Sequence, residues 1–231
     1  FKQFRVNHQF STMKVGTDAV LLGAITKIGC VQNILDIGTG SGVIALMMAQ
    51  RSNASIHAID IDEASVKEAT ENFTKSPWKE RLSSENCSLQ NLSQSTRSKF
   101  DLIVSNPPFF TKALKNPDAS KALARHNDNL SFETLLSLSA QLLNPGGKLS
   151  LILPATEERN IVEIAKVQNL FPRNTIYILP REDKPPNRIV LELDKNNSSK
   201  DSHSETFSIR NKNGEYSSGY ISLMSDYLLY F

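Results

Sequence analysis

The chain has little of what would mark several common protein classes. Of its 231 residues only two are cysteine, Cys30 and Cys87. That excludes a disulfide framework, gives no metal-ligand spacing, and points to a reduced, cytoplasmic setting. The four histidines, His8, His57, His126 and His203, stand far apart, so no local zinc or nucleophile signature forms. No apolar run reaches membrane-spanning length, and the basic start "FKQFR" is not followed by a signal-type core. Neither charge sign dominates. The net charge of +2 does not demand nucleic acid, though clustered lysines and arginines would still suit a phosphate backbone.

What is present is an alternation of short β-rich runs and helical patterns, the signature of βαβ units and a mostly parallel sheet. "NILDIG" (33–38) reads as a first strand and "SGVIALMMAQR" (41–51) as its helix. "SIHAID" (55–60) is a second strand, followed by a helix over 62–76 with Asp62 as its N-cap. A weaker third strand lies near 82–87, a polar loop over 93–99, and a fourth strand, "FDLIV", over 100–104. "SFETLLSLSAQLL" (131–143) reads as a helix capped by Ser131, "NPGG" as its stop, and "KLSLILP" (148–154) as a fifth strand. A helix over 157–170 leads to strands at 174–180 and 188–194. Their connection is too short for a crossover helix, so this last pair is expected to be antiparallel. Residues 195–205 are polar and read as mobile. Before the first strand, a helix starting near Asp18, capped by Thr17 or Asp18, suggests a side wall over 1–28 ahead of a main domain over 29–231.

Two motifs carry chemistry. "DIGTGSG" sets Asp36 at a strand end and Gly38, Gly40 and Gly42 at alternate positions before a helix, so the backbone can turn tightly and approach a ligand. Asp60 ends the next strand, where nucleotide-binding folds place an acid on the ribose hydroxyls. The NAD fingerprint runs G-x-G-x-x-G, whereas here the order is D-x-G-x-G-x-G, with an acid before the first glycine. The second motif, "NPPFF", follows the fourth strand. Two prolines cannot continue a ladder, but they can hold acceptors rigidly. The Asn106 side-chain oxygen and the Pro107 carbonyl can accept from a planar amine, and Phe109 can stack on it. His126 is not assigned a general-base role.

The glycine loop resembles motif I of class I S-adenosylmethionine-dependent methyltransferases, and NPPF resembles motif IV of N-methyltransferases that modify planar amino groups. Motif IV alone leaves two groups open: adenine-N6 enzymes of nucleic acids and glutamine-N5 enzymes of proteins. "FRVNHQFSTMKVGTDAVLLGAI" resembles the opening of the bacterial tRNA(Val) adenine-N6 methyltransferases. The resemblance continues through "DLIVSNPPFF", "ARHNDNLSFETLL" and "LMSDYLLYF". It implies a Rossmann-like α/β fold, a mostly parallel seven-stranded sheet with an antiparallel last strand and helices on both faces. It also implies S-adenosylmethionine as cofactor, no metal, and methylation of adenosine 37 in tRNA(Val). Carried over by position, Lys14, Gly16, Thr17 and Asp18 line the methionine end of the cofactor. Asp36, Gly38, Gly40 and Asp60 bind it, together with Asn106. Ser88 stands where many relatives carry an acid toward the adenine, so a backbone N–H or Asn86 is the alternative contact there. The target base falls to Asn106, Pro107 and Phe109. Lys112, Lys115, Lys121 and Arg125, on a basic loop, are candidates for RNA phosphates. The rival readings are a glutamine-N5 methyltransferase acting on a protein, for which no separate substrate domain is visible, and a non-catalytic cofactor- and RNA-binding protein.

Overall fold

The computed structural model describes residues 1–11, 13–108, 130–196 and 202–230. Among these, one sheet organises the molecule. Its strands are β1 (Asn33–Ile37), β2 (Ser55–Asp60), β3 (Leu82–Asn86), β4 (Phe100–Ser105), β5 (Leu143–Pro154), β6 (Leu170–Leu179), β7 (Arg188–Lys195) and β8 (His203–Ser208). The order across the sheet is β3-β2-β1-β4-β5-β7-β6-β8. β7 is antiparallel to both its neighbours, and every other pairing is parallel.

The helices are α1 (Thr17–Ile25), α2 (Val43–Arg51), α3 (Glu63–Thr74), α4 (Leu89–Ser95), α5 (Phe132–Leu142), α6 (Glu158–Val167) and α7 (Ser218–Met224). They fall on two faces. One core gathers Leu21 and Leu22 of α1, Leu46 and Met47 of α2, Phe73 of α3 and Tyr220 of α7 against Ile34, Ile56 and Val190 of the sheet. The other packs Leu92 of α4, Leu135 and Leu136 of α5 and Ile161 of α6 against Leu35, Ile103, Leu151 and Leu191. The central strands are thus buried on both sides, which is why they read as continuous apolar runs.

Five expectations are corrected. The sheet has eight strands rather than seven, because part of the polar stretch expected to be mobile builds β8 beside β6. An edge strand left largely exposed can be polar, and the segment "HSETFS" carries no hydrophobic alternation to announce it. The antiparallel strand is therefore β7, not the last one in the chain. The expected loop over 93–99 begins inside α4, a seven-residue helix that buries only Leu89 and Leu92, too short to show a period. "NPGG" does not separate α5 from β5; it lies within β5 as an irregularity, the register moving from Phe100–Leu143 to Leu102–Lys148. Finally, Gly16 rather than Thr17 or Asp18 caps α1.

α1 is fixed at both ends along β5 and β7. Asp18 in its first turn accepts from Arg188 Nε at 2.8 Å. Beyond its last turn, Thr26 Oγ1 meets Ser150 Oγ at 2.8 Å, and Lys27 N donates to Glu192 Oε1 at 2.8 Å. Arg188 opens the antiparallel β7 opposite Pro154, the last residue of β5. The start of α1 therefore stands at the carboxyl edge of the parallel strands, where open α/β sheets bind ligands.

Candidate active site

The carboxyl ends of β1, β2 and β4 bring the motifs together. Gly38, Gly40 and Gly42 take φ of +71°, +54° and +83°, and the loop they shape is tied down by β2. Gly38 N and Thr39 N both donate to Ile59 O, at 2.9 and 3.0 Å. Gly40 N donates to Asp60 Oδ2 at 2.8 Å, and Asp62 N to Asp60 Oδ1 at 3.0 Å. Asp60 thus shapes the loop with the carboxylate expected to meet a ribose. Burial raises its pKa above the ordinary value, against the lowering effect of the Asp62 and Gly40 amides.

Asp36 is fully buried. Its Oδ2 accepts from the Thr39 hydroxyl at 2.7 Å; its buried Oδ1 has no hydrogen-bond partner among the described residues. Burial pushes its pKa up to about 7; the Thr39 hydroxyl opposes this, Asp60 adds to it, and the Ala45 amide opposes it. A buried carboxylate with one open oxygen favours a cation as its complement.

At the end of β4, Ser105 Oγ donates to Ile37 O at 2.9 Å, locking β4 against β1. Asn106 therefore emerges level with Gly38. Its Oδ1 is buried and has no partner among the described residues. Pro107 is buried and Pro108 exposed. Ser88, the expected neighbour of the cofactor adenine, caps α4 by accepting from Asn91 N at 3.1 Å, while Asn86 Nδ2 donates to Asp60 O at 3.0 Å. Lys14 turns its ammonium onto His8 O and Gln9 O, both at 2.6 Å, and Thr17 is exposed. Phe109, Lys112, Lys115, Lys121, Arg125 and His126 lie outside the described residues.

Three further residues shape this edge and were not singled out from sequence. Glu68 on α3, 3% exposed, accepts three consecutive backbone N–H groups: Gln9 and Phe10 on Oε1 at 2.5 and 3.1 Å, Ser11 on Oε2 at 2.9 Å. One turn on, Asn72 Nδ2 donates to both Asn7 O and Ser41 O at 2.8 Å, and Asn7 N returns a bond to Asn72 Oδ1 at 2.9 Å. Arg188 holds the other end of this N-terminal strap through Asp18. The signal was available: Glu68 and Asn72 interrupt the stripe of α3 that buries Ala69 and Phe73, and a polar residue in a buried stripe has a partner. Which partner could not be read locally.

Among the described residues, no group of three or more His, Cys, Asp or Glu side chains is placed to hold a metal, and no helix is long and apolar enough to cross a membrane. A cavity of about 770 Å³ lies away from the motifs, lined by Asn33, Ser55, His57 and Leu82 near the strand starts.

Residues 7–164 match the family described as methyltransferase small domain. The chain is 46% identical to the tRNA1(Val) (adenine(37)-N6)-methyltransferase of Parabacteroides distasonis over 84% of this chain and 81% of that protein. It is 40% identical to the protein of the same name from Trichodesmium erythraeum, over 99% and 96%. The chain belongs to this methyltransferase family. A methyltransferase structure from Pyrococcus furiosus superposes with a TM-score of 0.61 at 22% identity, over 83% of this chain and 89% of that one, and shows the shared fold.

Proposed function

We propose that this chain methylates N6 of an adenosine in tRNA, position 37 of tRNA(Val), using S-adenosylmethionine. The observation that carries the reading is the buried Asn106 Oδ1 beside the glycine loop, which has no hydrogen-bond partner among the described residues. A buried acceptor left open costs about 1–3 kcal/mol, and a substrate N–H would relieve that cost.

The residues fit the cofactor. Asp36 offers a cation a buried oxygen that has no hydrogen-bond partner among the described residues. A Cβ built at Gly38 or Gly40 meets nothing within 4 Å, so the loop leaves room for a ligand. Asp36, Gly38, Gly40 and Asp60 would hold S-adenosylmethionine, with Lys14 and Thr17 on the strap and Ser88 or Asn86 toward its adenine. When bound, the cofactor supplies an electrophilic methyl group.

The chain's own work is orientation. An aromatic amine is a weak nucleophile because its lone pair is delocalised into the ring. Asn106 Oδ1 and the Pro107 carbonyl accept its two N–H bonds, turning the lone pair toward the cleft and stabilising the positive charge that develops on nitrogen. Pro107 and Pro108 fix both acceptors, so little entropy is lost on ordering them. The proton leaves after transfer, when the amine has become a strong acid. We assign Phe109 to stacking on the base and the basic residues 112, 115, 121 and 125 to phosphates. A base in an anticodon loop must turn outward to reach this edge. Residues 1–28 serve as the wall that closes the cleft of the domain over 29–231.

The test is transfer of radiolabel from S-adenosylmethionine to bacterial tRNA, followed by nucleoside analysis. Label in N6-methyladenosine is expected, with Asn106→Ala losing roughly a hundredfold or more in kcat. Label in a release-factor protein and none in tRNA would overturn the substrate assignment.

A further inference from the structure

The N-terminal strap carries an aromatic ring that packing does not explain. Phe4, on the same segment, is 5% exposed, with its ring stacked on Phe1 at 4.5 Å and edge-on to Trp78 at 5.8 Å; it anchors the segment. Phe10 is 74% exposed and Met13 54%. Yet the Phe10 backbone is held firmly, its N–H and those of both neighbours closing on Glu68. A buried carboxylate is thus used to fix a stretch of chain whose large apolar side chain faces solvent.

Position gives that ring a use. The strap is tied to α3, which packs on β2 and β3, and at its other end to Arg188 of β7. In a sheet ordered β3-β2-β1-β4-β5-β7, a segment joining those points crosses the carboxyl ends of β1 and β4, where Asp36 and Asn106 stand. Asn72 binds the strap and the glycine loop with one amide group. The strap is also cationic: residues 1–17 include Lys2, Arg5 and Lys14 and no acid, and the first acid, Asp18, is paired with Arg188.

We propose that Phe10, with Met13 beside it on the strap, is a ledge on which a nucleobase flanking the target adenosine stacks, and that Glu68 is the positioning residue that holds the ledge. The inference rests on the tRNA reading above. A single-stranded loop with a base turned out leaves its neighbours unstacked, and aromatic side chains take up such bases. The cationic strap suits the flanking phosphates, and an exposed ring on a fixed backbone loses little freedom on binding.

The experiment compares wild type, Phe10→Ala, Phe10→Leu and Phe10→Trp in the full chain. It measures tRNA Kd by filter binding in the presence of S-adenosylhomocysteine, KM for tRNA, and Kd for S-adenosylmethionine. Phe10→Ala and Phe10→Leu are expected to weaken tRNA binding and raise its KM by roughly tenfold or more, with cofactor Kd within twofold, and Phe10→Trp to restore both. Leu keeps apolar area without a π-face, so equal rescue by Leu and Trp would overturn stacking. Unchanged tRNA Kd in Phe10→Ala would overturn the ledge while wild-type methylation of tRNA left the functional reading standing. If wild type neither binds nor methylates tRNA and labels a protein instead, the functional reading and the ledge's assigned occupant fail together.

Discussion

Replacing Glu68 by alanine tests how the N-terminal strap is held. The carboxylate accepts three backbone N–H groups at 2.5, 3.1 and 2.9 Å from a site 3% exposed. If the strap stayed in place without it, each amide would be stranded at about 1–3 kcal/mol. The strap can instead lift from α3 and hydrate those amides, which caps the loss. We expect about 3 kcal/mol from urea unfolding of Glu68→Ala, with hydrogen exchange at Gln9, Phe10 and Ser11 rising far more than in the core strands. Glu68→Gln separates charge from shape: its oxygen can still serve two amides, but its NH₂ faces the third, donor against donor, so an intermediate loss is expected. The pH dependence follows from the same contacts. Burial raises the carboxyl pKa, but the amides of Phe10, Ser11 and Gln9 and the Ser11 hydroxyl outweigh it and hold it below its ordinary 4.5. A native pKa below the unfolded one means that the stabilisation is complete above about 4.5 and disappears as pH falls through the lower native value. Glu68→Ala within 0.5 kcal/mol (about one RT) of wild type, with unchanged exchange at the strap, would refute the reasoning.

Two more expectations follow from the cleft. Asp36 titrates near pH 7 in the free protein, and its carboxylate form is the one that complements a cation. Lowering pH from about 8 to about 6 should therefore weaken S-adenosylmethionine binding roughly tenfold by calorimetry, with protons released on binding near pH 6.5. The raised native pKa also makes stability fall as pH climbs from about 4 to about 7; Asp36→Asn should abolish both dependences, and flat wild-type affinity across this range would contradict the assignment. The glycines separate fold from function. An added Cβ at Gly42 meets Phe73 Cε1 at 2.5 Å, at a φ of +83°, whereas at Gly40 it meets nothing within 4 Å. Gly42→Ala should lose about 2–4 kcal/mol of stability. Gly40→Ala should lose only about 1–2 kcal/mol while its cofactor Kd rises at least tenfold; thermal melts with and without S-adenosylmethionine separate the two effects.

The sequence by itself determined whatever depends on near neighbours along the chain. Apolar runs such as "NILDI" and "SIHAID" became β1 and β2, and Asp62 became the N-cap of α3, accepting from Ser65 N. The glycine loop and Asn106 kept their places at strand ends, because a strand, its stop and the next helix are set by side-chain period and turn residues within a few positions. Elements with little period of their own, the edge strand β8 and the seven-residue α4, escaped that reading. Tertiary structure alone decided which distant residues complete the site. Glu68 meets the strap from 57 to 59 residues away, and Arg188 meets Asp18 across 170. Nothing in a local pattern encodes such a pairing, since a buried polar side chain declares that it needs a partner but not which one. The sheet order supplied that answer by bringing α3 and β7 to opposite ends of one carboxyl edge, with the strap stretched between them.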